Sequence, residues 1–173
     1  MSDTTRIVLS VTGSDRPGLT SALAEAVLAA GGNWQEGHLS RLGGLYVGSV
    51  LVELPDANVG ELQRQVQAID TAGLNVVINP AGDEPAIAPT ALLFELVGQD
   101  RPGIIREVSA ILARLGVNIE SLSSGEETAA WGGERLFRAE LLVTLPEGVA
   151  PEAVQEALES ISGEIMVDFT FGG

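Results

Sequence analysis

The residues with chemistry to offer come in two matched sets. Asp15-Arg16-Pro17-Gly18 recurs as Asp100-Arg101-Pro102-Gly103, an offset of 85. Each set is followed by an apolar residue, Leu19 or Ile104, and further on by an asparagine, Asn33 or Asn118. Each loop stands between an apolar run and a helix-like segment, where the first helical amides lack intrahelical partners. Such amides suit a carboxylate, and a nearby aspartate or strand carbonyl suits an ammonium. Together they match a free α-amino acid, whose two charges sit on one carbon. Asn33 and Asn118 can offer both a donor and an acceptor to the same ligand. A plainer use of the same atoms stands beside this one. Asp15 and Asp100 can cap the helix amides, the prolines can fix the approach of the chain, and glycine permits close backbone contact. The asparagines can likewise end a helix in left-handed geometry.

Composition narrows the field. The chain has 173 residues, 45% of them hydrophobic, which is enough for one core or two small ones. No apolar run nears the roughly 20 residues of a membrane helix, and "MSDTTRIVLS" lacks the features of a signal peptide. Cysteine is absent, so disulfides, thiolate metal sites and cysteine nucleophiles are excluded. A cytoplasmic location is expected, with no membrane partner. Nine basic residues, all arginine, face 24 acidic ones, for a net charge of −15. That field repels phosphate backbones, so no direct nucleic-acid binding is expected. The single histidine, His38, reads as structural.

The elements that must position the loops also repeat. Ile7, Leu9 and Val11 match Leu92, Phe94 and Leu96, an alternation that predicts a strand with one buried face. Leu19, Leu23, Ala26 and Ala30 form a helical stripe, as do Ile104, Val108, Ile111 and Leu115. Proline is expected in the first turn of each helix and glycine at its end. A short strand from Asn33 or Asn118 follows, then a longer one. Tyr46, Val50, Val52 and Leu54 share a face of the longer strand in the first half, and Phe137, Leu141, Val143 and Leu145 in the second. A second helix carries Val59, Leu62, Val66 and Ile69, or Val154, Leu158 and Ile161, and a last strand closes each half.

The order in each half is therefore βαββαβ. The expected fold class is α+β: two ferredoxin-like domains, each a four-stranded antiparallel sheet with two helices on one face. Residues 1–80 form the first domain, 81–89 a proline-rich linker, and 90–173 the second. A repeat of this length is a duplicated domain rather than a solenoid unit. The offset grows from 85 to 91 within "SSGEETAAWGGERL", which adds six residues to the second half. Trp131 in that stretch is expected to fold back on its own domain, with partner docking as the alternative.

The stretches "VTGSDRPGLTSALAEAVLAAGGNWQEGHLSRLGG" and "LVGQDRPGIIREVSAILARLGVNIESLSS" resemble the ACT domain: D-R-P-G after a strand, a helix, then G-x-N into a second strand. Two copies filling the chain resemble the glycine cleavage system transcriptional repressor family. The resemblance implies a regulator whose ACT domains pair, with amino acids bound between the strand-helix loop of one and its neighbour. Carried over by position, the ligand contacts are Asp15, Pro17, Gly18, Leu19 and Asn33, with Asp100, Pro102, Gly103, Ile104 and Asn118. Some serine-binding ACT domains lead the loop with histidine and asparagine. Gly13 and Asp15 stand there instead, with Gly98 and Asp100 in the second copy, which speaks against serine. Members of the repressor family act through a DNA-binding partner protein, so a protein partner such as a transcriptional activator is expected. Glycine or a similar amino acid is the expected ligand, a homodimer the expected assembly, and no cofactor or metal is expected.

Two other readings remain. One is a ligand-independent interaction and dimerisation module regulating a metabolic enzyme, whose open sheet faces with Val8 and Leu93 serve pairing. The other is an enzyme, since ACT repeats precede catalytic domains in proteins such as formyltetrahydrofolate deformylase. Here no residues remain after Gly173 for such a domain, and no phosphate loop, nucleophile-base pair or metal-ligand cluster is present in the sequence. The expectation is a non-enzyme.

Overall fold

Alternation of apolar and polar residues gives most of the strands one buried and one exposed face. In a computed structural model, which describes residues 3–70, 73–82, 90–128, 135–161 and 165–170, the chain divides into two compact units, Met1–Glu84 and Pro85–Gly173. Trp131 and most of the expected linker lie outside the described residues.

The first unit runs β1 (Thr4–Ser14), α1 (Leu19–Ala29), β2 (Asn33–Leu42), β3 (Leu45–Pro55), a short 3-10 turn, α2 (Val59–Asp70) and β4 (Leu74–Pro80). The second repeats it as β5 (Thr90–Gln99), α3 (Ile104–Arg114), β6 (Asn118–Thr128), β7 (Arg135–Leu145), α4 (Pro151–Glu159) and β8 (Met166–Thr170). The sheets have the orders β2-β3-β1-β4 and β6-β7-β5-β8, with every neighbouring pair antiparallel. Each unit is the ferredoxin-like α+β arrangement that the element order implied.

Each unit has its own core between sheet and helices. In the first, Leu9, Val50 and Val52 of the sheet meet Leu23 of α1 and Leu62 of α2, all fully buried. In the second, Phe94, Leu141 and Val143 meet Leu112, Val154 and Leu158 in the same way. Val27 and Leu112 complete the helical stripes, two positions the sequence pattern passed over. Leu115, placed on the stripe by its spacing, is only half-buried because it is the C-cap, where the helix is already ending. Val8 and Leu93, on the opposite sheet faces, are half-buried too.

Three expectations change. β2 and β6 are not short: they span 10 and 11 residues, nearly matching β3 and β7. Each carries a bulge at the same place, between Trp34 and Glu36 and between Ile119 and Ser121. The extra residue reverses the in-out alternation, so no period-two pattern marked these strands. Finally, Pro17 and Pro102 do not lie in the first helical turn. The helices begin at Leu19 and Ile104, because Gly18 and Gly103 before them adopt φ 91°, outside the helical region.

Close backbone approach fixes two further glycines. A Cβ on Gly13 would stand 2.5 Å from the Gly73 carbonyl oxygen of the neighbouring chain segment. At Gly48, in the middle of β3, φ is 153° and a Cβ would overlap the His38 carbonyl.

Candidate functional site

The repeated loop forms where β1 or β5 ends and the following helix begins. Its backbone is nearly the same twice: Gly18 has φ 91° and ψ −3°, Gly103 φ 91° and ψ −2°. Left-handed glycine turns the chain sharply into the helix and serves as its N-cap. The Gly18 carbonyl accepts the Ala22 amide at 2.9 Å, and the Gly103 carbonyl accepts that of Glu107 at 3.1 Å. No side chain caps either helix. The first-turn amides of α1 and α3 therefore keep their donors for another acceptor. Leu19 and Ile104 are buried beneath the loops and anchor them to the cores.

This overturns the capping role for Asp15 and Asp100. Each lies three residues before its cap glycine, and each carboxylate turns to an arginine of the adjoining hairpin instead. Asp15 Oδ2 lies 3.2 Å from Arg41 Nε, and Asp100 Oδ2 lies 3.4 Å from Arg135 Nη2. The backbone follows: the Asp15 amide donates to the Gly44 carbonyl at 3.4 Å and the Asp100 amide to that of Arg135 at 3.1 Å. The two arginines come from different positions. Arg41 stands in β2, where the second copy has Glu126. Arg135 opens β7, where the first copy has Gly44. Arg135 also reaches Glu126 at 3.0 Å.

Arg101 makes the tightest contact. Its guanidinium grips the Glu107 carboxylate with both arms, at 2.9 and 2.5 Å. That hydrogen bonding, aided by the charges of Arg101 and Arg106 and opposed by desolvation, holds Glu107 below the ordinary glutamate pKa. A lowered pKa means the contact is fully formed above the ordinary glutamate value and is lost only as pH falls through the lowered one. In a carboxyl-detected NMR titration, Glu107 is expected to titrate below an ordinary glutamate, and Arg101→Ala should raise its midpoint. An unchanged midpoint in the variant would remove the clamp.

The asparagines do not join the loops of their own units. Asn33 pairs across the sheet with Glu53, and Glu53 with Arg6 near the start of β1. The loop leaves the other end of β1, so about 26 Å of strand separates the two groups. Asn118 is equally remote from Asp100, and donates instead to Glu120 at 2.7 Å. Within a unit, Asp15, Pro17, Gly18 and Leu19 are brought together, as are Asp100, Pro102, Gly103 and Ile104; the asparagines are not. The spacing missed Arg41, Arg135 and Glu107 because non-local strand pairing, or a helical turn after the loop, supplies them. His38 is exposed on β2 and pairs with Glu36 at 2.7 Å. Among the described residues, no cluster of three or more metal-ligating side chains occurs, and no helix is long and apolar enough to cross a membrane.

Residues 5–78 and 93–163 each match the ACT domain. The chain is 32% identical over 168 residues to phosphoserine phosphatase SerB2 of Mycobacterium tuberculosis, covering 94% of this chain but only 39% of that enzyme's length. A crystal structure of an unknown protein from Galdieria sulphuraria superposes with a TM-score of 0.82 at 26% identity, covering 96% of this chain and 98% of the other. A candidate glycine cleavage system transcriptional repressor shares the fold, with a TM-score of 0.73 over 98% of this chain and 99% of that one, at 16% identity. Matched across both halves, each with its strand-loop-helix turn, the chain belongs to the ACT-domain family and carries two such domains in tandem.

Proposed function

We propose that this is an amino-acid-responsive regulatory protein, not an enzyme, that works in the cytoplasm by altering its grip on a protein partner. The observation that carries the reading is the duplicated loop, in which an aspartate paired with an arginine stands three residues ahead of the cap glycine and the first-turn amides have no side-chain cap. A small zwitterion places its carboxylate on those amides and its ammonium on the aspartate. Because Asn33 and Asn118 are remote from their own loops, an asparagine contact requires a second ACT domain, which fits a homodimer. A ligand can shift the protein between states only by its difference in affinity for them.

The fold shared with a candidate glycine cleavage repressor supports a transcriptional regulator that senses glycine and acts through a DNA-binding activator. The net charge of −15 agrees with a protein partner rather than direct contact with nucleic acid. A second reading draws on the likeness to phosphoserine phosphatase SerB2, in which the tandem domains would govern a phosphatase and sense serine. Gly13 bears on the choice: the Gly73 carbonyl leaves no room for a side chain where some serine-binding ACT domains place histidine.

A thermal-unfolding screen against the standard amino acids tests the function, since only a ligand for the folded state raises the melting temperature. Glycine should raise it in a concentration-dependent way. A rise with serine alone would favour the second reading, and no rise with any amino acid would remove both. The double variant Asp15→Ala/Asp100→Ala should abolish the shift. Its own stability should stay within about 1 kcal/mol of wild type, because the lost ion pairs are partly exposed.

A further inference from the structure

The two loops share their backbone but not their charges. In the second, both charged side chains of the motif are held. Arg101 is gripped by Glu107 through two hydrogen bonds, and Asp100 is tied to Arg135, which Glu126 steadies from its other side. In the first, the position of Glu107 is taken by Ala22, so this clamp is absent there. Among the described residues the Arg16 side chain has no hydrogen-bond or ion-pair partner, while the Asp15 carboxylate is paired with Arg41 as that of Asp100 is with Arg135. Exposure follows: the Asp15 side chain is 34% exposed and that of Asp100 21%.

The grooves beside the loops differ in the same sense. Between α1 and α2 a groove of about 480 Å³ is lined by Arg16, Ala22, Glu25 and Gln65 among others. The corresponding groove between α3 and α4, about 350 Å³, is lined by Glu107, Arg114 and Ser160, and Arg101 is not part of its wall. The unclamped arginine thus stands at an open groove, and the clamped one is drawn onto the first turn of its own helix.

We infer that the two loops are functionally unequal: the first is the responsive site and the second is held shut by its own salt bridges. This rests on the amino-acid-sensing reading above and says which copy performs it. A guanidinium free to move can meet a carboxylate with two parallel hydrogen bonds. Arg16 is therefore the group that adds charge complementarity to the α1 amides for a small α-amino acid. Arg101 has the same fork already filled by a carboxylate of its own chain. One ligand per chain is the consequence.

Amide NMR of the full chain, titrated with glycine and then with each remaining standard amino acid, reads the two loops separately. Gly18 and Leu19 should shift saturably with one of these probes, and Gly103 and Ile104 should stay still. Equal shifts at both loops, or shifts at the second alone, would overturn the inequality and leave amino-acid sensing intact. Stillness of both loops toward every probe would remove the sensing reading and the inequality with it. Two exchanges test the clamp as the cause. Ala22→Glu, which places an acidic residue favourably in a first helical turn, should build the clamp on Arg16. It should weaken binding at Gly18 roughly tenfold or more, the value of a contact to a charged group. Glu107→Ala should remove that clamp from Arg101 and let Gly103 respond. If circular dichroism finds both variants folded, yet the first loop binds as before and the second stays silent, the clamp is not what separates them and the proposal falls.

Discussion

Gly48→Ala should cost about 3 kcal/mol, a heavy loss for one methyl group in a small domain. The new Cβ would overlap the His38 carbonyl on β2, and φ 153° is a backbone setting that side chains rarely tolerate. Neither atom sits on a flexible side chain, so relief requires β2 and β3 to part. The repeat makes this informative, because Ala139 occupies the equivalent place in β7, buried and opposite Ser124. Alignment of the halves alone would call the substitution harmless. Urea unfolding followed by circular dichroism measures the loss. The reverse change, Ala139→Gly, should cost only about 1 kcal/mol, the usual penalty of glycine inside a strand. A Gly48→Ala protein within about 0.5 kcal/mol of wild type would show that the strands do not approach as closely as described.

Phe94→Ala should cost more, about 3–5 kcal/mol, by leaving a void in the second core. Phe94 is fully buried in the central strand β5, opposite the equally buried Leu141. Its place is taken in the first unit by Leu9, which is also fully buried. Phe94→Leu should therefore cost less than about 1.5 kcal/mol, as volume-tolerant core exchanges do. Denaturant midpoints at constant slope would measure both. Equal losses for the two variants would mean that the void is not the origin of the effect.

What was legible in the sequence follows the range of the interactions involved. Leu19, Leu23, Ala26 and Ala30 could be placed because a helix face repeats within a few residues, and all four are buried. Ile7, Leu9 and Val11 were read from simple alternation. The bulges in β2 and β6 were not, since one inserted residue leaves no compositional mark and cancels the alternation that reveals a strand. The loop was visible as a motif, but its wiring was not. Capping by Asp15 is a local guess that fails because Gly18 makes the turn. The carboxylate's partner, Arg41, is 26 positions along the chain and arrives only when β2 pairs with β3. The inequality between the loops likewise hangs on Ala22 and Glu107, positions outside the repeated motif.

The crossed placement of Arg41 and Arg135 bears on how such a duplicated chain can be recombined. Moving a whole hairpin from one unit to the other would still deliver one arginine to the receiving aspartate, from position 41 or from position 135. Moving a single strand would not. β2 set beside β7 brings Arg41 and Arg135 together, whereas β6 set beside β3 brings Glu126 and Gly44 and leaves the carboxylate facing another acid. The heritable module is thus the facing ends of the two strands, and a chimera joined between positions 41 and 44, or between 126 and 135, would inherit either a surplus of positive charge or a repulsion.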